Sequence, residues 1–167
     1  SSIYANSISF GEDEEYIAFY FMDTVGVDAK KNLNYSEITM TIMNSAVLEE
    51  DTEASIQTAL NLAGQTIDAS RVYVFEEIST TSTRNTYEWC ARGVEPAIDD
   101  LQNLEKADYN YDTIVNSGMY ICGDVRELPD DDREILESQG IKALAIISFY
   151  DNKKPLGYVG FDECKRY

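Results

Sequence analysis

Residues 139–163 read QGIKALAIISFYDNKKPLGYVGFDE. An apolar run from Ile141 to Tyr150 meets a polar break, Asp151-Asn152-Lys153-Lys154-Pro155. A second run, Leu156 to Phe161, ends on two acids. Two β-prone runs joined by so short a break predict an antiparallel strand pair. Pleat alternation assigns Phe161 to the core and Asp162 to the surface. Asp162 and Glu163 are adjacent, so they point to opposite faces and cannot work as a catalytic pair. The stretch reads as the end of a hairpin, not the edge of a catalytic site.

Working outward, Arg71 to Glu77 (RVYVFEE) alternates in the same way, and Thr86 to Ala91 (TYEWCA) follows a polar Ser/Thr loop over 79–85. That pair predicts a second hairpin. Pro96 to Leu104 is read as a short helical segment, Tyr111 to Ser117 as a helix with Gly118 past its end, and Tyr120 to Val125 as a strand. Leu128-Pro129-Asp130 opens a helix running to Gln139 and stopped by Gly140, with Asp130-Asp131-Asp132 capping its start. Upstream, Asp51-Thr52 begins a helix in which Ile56, Ala59, Leu60, Ala63 and Ile67 recur at helical spacing. Ser36 offers an N-cap for a linker helix over 36–50. Residues 1–35 read as a β-hairpin about the acidic turn Gly11-Glu12-Asp13-Glu14-Glu15. Paired strands with inserted helices predict an antiparallel α+β domain over 51–167.

Composition narrows the function. The chain has 167 residues, 44% of them hydrophobic, enough for one packed core. With 31 acids against 13 bases the net charge is −18, which repels phosphate backbones and anionic membranes. Neither a nucleic-acid partner nor direct membrane contact is expected. No apolar run reaches the roughly 18 residues that span a bilayer, and no signal peptide stands at the start. The location expected is the cytoplasm. The chain is expected to be a fragment of a longer protein.

Histidine is absent. That removes the usual general base, the Ser/His and Cys/His nucleophile pairs and an axial haem ligand. The three cysteines, Cys90, Cys122 and Cys164, lack C-x-x-C spacing, so neither haem nor zinc is expected. Gly118 to Gly123 has the glycine spacing of a phosphate loop, but Asp124 stands where the lysine is needed.

The ordered set RVYVFEE, TYEWCARGVEPAIDDLQNL, SGMYICGDVREL, PDDDREILESQGIKALAIIS and PLGYVGFDE resembles a GAF domain of bacterial signalling proteins. In that setting such domains stand upstream of diguanylate cyclase (GGDEF) or histidine kinase outputs. The resemblance covers about Thr52 to Glu163. Residues 16–23 are similar to the final strand of a PAS domain, which would make 1–35 the remnant of an upstream domain. The family implies a central six-stranded antiparallel sheet with helices on one face. On the other face, connections over 92–140 would cover a pocket. Candidate pocket residues are Tyr87, Trp89, Cys90, Tyr109, Tyr120 and Phe149, with Tyr111 beside them.

The resemblance implies a non-catalytic sensor that controls a fused output domain and pairs as a homodimer through its N-terminal helices. The ligand is unknown. Some GAF relatives attach a bilin through a cysteine followed by histidine, and with no histidine a bilin is not expected. Asn152-Lys153, Phe161 and Asp162-Glu163 follow the order of a cyclic-nucleotide motif but lack its three-residue spacer. Two other functions compete: a ligand-free dimerisation module, and a thiol-based methionine sulfoxide reductase of the same fold.

Overall fold

A computed structural model describes residues 2–9, 15–22 and 52–165. The predicted linker helix over 36–50 lies outside them. Strands β1 (Ser2–Ser9) and β2 (Glu15–Met22) pair antiparallel, as the N-terminal hairpin requires.

Helix α1 spans Thr52–Ile67 and buries Leu60, Ala63 and Gly64. It ends where Asp68 turns left-handed (φ 57°) and the Ala69 amide donates to the Gly64 carbonyl at 2.9 Å. That six-to-one closure satisfies carbonyls the helix would otherwise leave open. Strands β3 (Arg71–Glu77) and β4 (Ser82–Cys90) form the predicted hairpin. β4 starts four residues earlier than its apolar pattern suggested. Ser79 Oγ accepts from the Ser82 amide at 3.0 Å and closes the turn, which frees Ser82 and Thr83 to pair. The segment read as helical before Leu104 makes only one 3-10 turn, Ile98–Asp100, and then edge strand β5 (Leu104–Glu105).

Helix α2 (Tyr111–Ser117) ends at Gly118, whose φ of 72° suits a residue without a Cβ. Strand β6 (Met119–Cys122) is shorter than expected. Asp124 accepts from the Arg126 amide and starts a 3-10 turn, Val125–Glu127, in place of more strand. Helix α3 (Asp130–Ser138) carries three aspartates in its first turn, where they favour the helix dipole. None of them accepts the capping bond, because Pro129 occupies the cap position.

Strands β7 (Ala143–Asp151) and β8 (Lys154–Glu163) close the fold. Asn152 and Lys153 both have positive φ, as a two-residue primed hairpin turn requires. All neighbours are antiparallel in the order β5-β4-β3-β8-β7-β6, the six-stranded sheet expected. One face carries Val72, Ile147, Val159 and Phe161 and packs against α1. The other carries Tyr73, Phe75, Leu144, Ile146 and Tyr158 and packs under α2 and the 92–142 connections. Among the described residues no helix is long and apolar enough to cross a membrane.

Candidate functional site

Between the second face and its roof lies a cavity of about 140 Å³. Most of its wall is apolar: Phe75, Leu101, Leu104, Ile114, Leu136 and Ile146 contribute. Polar groups reach it from β3, β4 and β8, where alternation aims every second side chain at the roof, and the roof itself adds Tyr109, Asn110, Asp132 and Gln139.

The first group is an ion pair at the centre of the sheet. Arg71 and Asp162 face each other across β3 and β8, with Nε 3.2 Å from Oδ2, and both are almost fully buried. The Arg71 Nε–H is not aligned on an acceptor, so this contact is charge pairing rather than a hydrogen bond. Arg71 Nη2 donates to the Gln139 carbonyl at 3.1 Å. Tyr73 Oη donates to Asp162 Oδ1 at 2.9 Å. Gly160 makes that reach possible, since a Cβ there would lie 2.1 Å from the Tyr73 ring. Burial pushes the Asp162 carboxyl up to about 6, against the opposing pull of Arg71. Burial, and then Asp162, hold the Tyr73 phenol well above its ordinary value, so it remains a donor. The assignment of Asp162 to the surface is therefore corrected. Alternation separates it from Phe161 as expected, but the side it faces is a closed layer, not solvent.

The second group lies on β4. Glu88 Oε2 accepts from the amides of Ala97 and Ile98 at 2.9 and 3.2 Å and pins the start of the roof. Glu88 Oε1 takes Asn85 Nδ2 at 3.4 Å. Asn85 is 1% exposed, and its Oδ1 has no hydrogen-bond partner among the described residues. Further along, Tyr109 Oη shares a hydrogen bond with Thr83 Oγ1 at 2.8 Å. Tyr111 Oη donates to Glu77 Oε1 at 2.8 Å, and Lys106 Nζ stands at 2.8 Å from the same oxygen. At the rim, Asn110 Nδ2 bridges both oxygens of Asp132 at 3.0 and 2.9 Å and joins the start of α2 to α3.

The candidate residues divide. Tyr109 and Tyr120 line the cavity. Tyr87, Trp89 and Phe149 pack on the opposite face, in the cluster beneath α1. They are strand aromatics of the other parity, and aromatic character alone does not tell the two faces apart. Cys90 is partly buried beside Glu88, and burial followed by that carboxylate raises its thiol to about 12. Burial also raises Cys122 and Cys164. Thiols held protonated are poor nucleophiles, which weighs against the reductase alternative. Sequence reasoning missed Arg71, Asn85, Glu88 and Asp162. A signal was present for Arg71, which shares the parity of Tyr73 and Phe75 in RVYVFEE.

No family model matches the chain. It is 28% identical over 149 residues to the methanogenesis regulatory histidine kinase FilI of Methanothrix harundinacea (strain 6Ac). The match takes in 84% of this chain and 17% of that protein, so the chain spans about a sixth of its relative's length. Among solved structures it is similar to the phycoerythrobilin-bound GAF domain of a cyanobacterial phytochrome. The TM-score is 0.69 at 13% identity, over 81% of this chain and 84% of that one. A phycocyanobilin-bound GAF domain from a cyanobacterial phytochrome gives 0.64 at 15% identity, over 86% and 84%. The chromophore-binding domain of a bacteriophytochrome from R. palustris gives 0.69 at 13% identity, over 95% and 60%.

These neighbours correct the expectation that set bilins aside. Domains of this architecture hold phycoerythrobilin and phycocyanobilin, so that ligand class is not set aside. Likeness at such low identity is likeness of fold, and the fold of this chain is that of the GAF domains.

Proposed function

We propose that this chain is the sensory domain of a larger signalling protein, with a small molecule held between the sheet and the 92–142 roof. The observation that carries this reading is the buried polar arc Arg71–Asp162–Tyr73 with Asn85–Glu88, set into an otherwise apolar cavity. A few placed polar groups in an apolar concavity are the usual make-up of a ligand site. The histidine kinase relative supports an output of that kind fused to the domain. Residues 1–35 then belong to the edge of a preceding domain. Ligand binding would favour one packing of the roof over another, and the output would respond to that population change.

Native mass spectrometry of the purified chain, compared with its denatured mass, tests the reading directly. A small extra mass present only under native conditions, or one acquired on incubation with a metabolite mixture that includes biliverdin, is the expected result. A protein that acquires no mass from any such mixture, and whose cavity residues show no NMR shift changes, would refute a sensory pocket.

A further inference from the structure

We propose that the open edge of β6 is a docking strand for an extended, uncharged segment flanked by basic residues. The proposal goes beyond the sensory reading and does not rest on the cavity. Three observations carry it.

The first is the open backbone. β6 ends the sheet, and among the described residues its one strand neighbour is β7. The Ser148 amide donates to the Gly118 carbonyl at 2.9 Å, in the register that sets Met119 opposite Ile147 and Ile121 opposite Ala145. Along an antiparallel strand, residues bonded to the neighbour alternate with residues turned away from it. Gly118, Tyr120 and Cys122 are thus turned to β7, and Met119 and Ile121 present their N–H and C=O groups to the edge. Natural sheets guard such an edge with charge, proline, a bulge or a covering loop. Residues 118–123 read GMYICG, without a charge or a proline. The opposite side of the sheet shows the contrast. There the Leu101 carbonyl and the Gln102 side chain close on the Asn85 backbone at 2.8 Å each.

The second is the pair of side chains at this edge. Met119 and Ile121 are 43% and 59% exposed. Met119 stands opposite Ile147, which packs in the cluster beneath α1, so both lie on the α1 face. The helix itself is seated on β4, through Gly64 against Trp89 and Gln57 Nε2 on the Glu88 carbonyl at 3.1 Å. β6 lies four strands from β4, about 19 Å at ~4.8 Å per strand, out of reach of a helix about 10 Å wide. An incoming strand would set every second side chain against Met119 and Ile121 and cover them.

The third is charge. Residues 112–137, which flank β6 on both sides, hold eight acids and two bases. Both bases are paired within the segment, Arg126 with Asp124 and Arg133 with Asp130. α3 carries its acids to the roof side of the strand, where Asp132 and Tyr120 line the cavity together. Such flanks, on a chain of net charge −18, favour an occupant with basic ends and disfavour a second copy of the chain.

The test uses three capped peptides, KTVTVTK, ETVTVTE and KTVPVTK, titrated into the isotope-labelled chain at low salt and read by NMR. The first is expected to slow hydrogen exchange at the Met119 and Ile121 amides and to bind about tenfold tighter than the second. The third, in which proline interrupts strand pairing, is expected to leave both amides exchanging freely. Ile121→Lys, at an exposed position, is expected to keep the spectrum of the folded chain and lose the response. Equal effects of any two of the peptides would overturn the proposal. So would a response that survives Ile121→Lys, or peptide-induced shifts confined to the α3 acids. Met119 and Ile121 amides already protected in the free chain would overturn it as well. Protection that rises with protein concentration would then assign the edge to a second copy, and constant protection to another segment of the same chain.

Discussion

The two faces of the central sheet solve the same problem by different means. Beneath α1 the contacts are apolar and close: Leu60, Ala63, Val72, Val159 and Phe161 are buried together, and Gly64 receives the Trp89 ring. Beneath the roof the sheet buries the Arg71–Asp162 pair, Asn85 and the tyrosines Tyr73 and Tyr158, and leaves space. A face built for stability alone would not do this, because replacing a buried ion pair by apolar groups is often neutral or stabilising. The difference separates a close-packed apolar face from one that encloses a cavity with buried polar groups, although residues of both kinds alternate along the same strands.

The sharpest way to break this comparison is to remove one partner of the pair. Arg71→Met leaves Asp162 buried and uncompensated, and is expected to cost about 3–5 kcal/mol by urea unfolding at pH 7. The loss should shrink on acidification, when the carboxyl takes up a proton. Coupling to Asp162→Leu should recover much of it, and no recovery would mean the pair is not the origin of the cost.

The next effect is on pH dependence. Asp162 rises from 3.8 to about 6 on folding, because burial outweighs Arg71. Between those values the folded protein holds a proton that the unfolded chain has released. This contribution is therefore full below about pH 4 and is lost as pH rises through 6, on the order of 3 kcal/mol. Subtracting the stability–pH curve of Asp162→Asn from that of the wild type isolates it. A difference curve that is flat, or that rises with pH, would contradict the sign. Glu77, lowered from its ordinary value despite partial burial, slopes the other way and cancels in the subtraction.

On the apolar face, Gly64→Ala places a Cβ 2.1 Å from Trp89 Cζ3. Overpacking of this kind costs about 1–3 kcal/mol, partly offset by the better helix propensity of Ala. Thermal unfolding should show the loss, and an unchanged Tm would mean that the Trp89 ring does not seat on Gly64 as described. Smallest of all, Asn110→Ala removes the exposed bridge to Asp132, with a stability change within about 1 kcal/mol by urea unfolding.

The elements were legible wherever local chemistry decides them. Gly118 and Gly140, both at positive φ, end α2 and α3 where the sequence puts a stop. Asn152-Lys153 marks the turn between β7 and β8. What stayed hidden depends on partners far away in the chain. Asp162 reads as a solvent residue until Arg71, at the start of a different strand, is placed across from it. Asn85 reads as loop because Ser and Thr are common in loops, yet they also form strands when an edge such as β5 is offered. Alternation divides Trp89 from Glu88 with certainty but does not say which of them meets the roof. That choice belongs to the packing of α1.

The seat of Trp89 against Gly64 has a mechanical consequence. The ring occupies a notch that only a residue without a side chain can provide. Were α1 to slide along its axis by a residue or a turn, a Cβ would arrive where the ring now lies. The helix is thus keyed to β4 like a gear tooth, and slippage between them is blocked. Asn85 and Glu88 ride on that same strand. The register of α1 and the wall of the cavity are thus set by one strand.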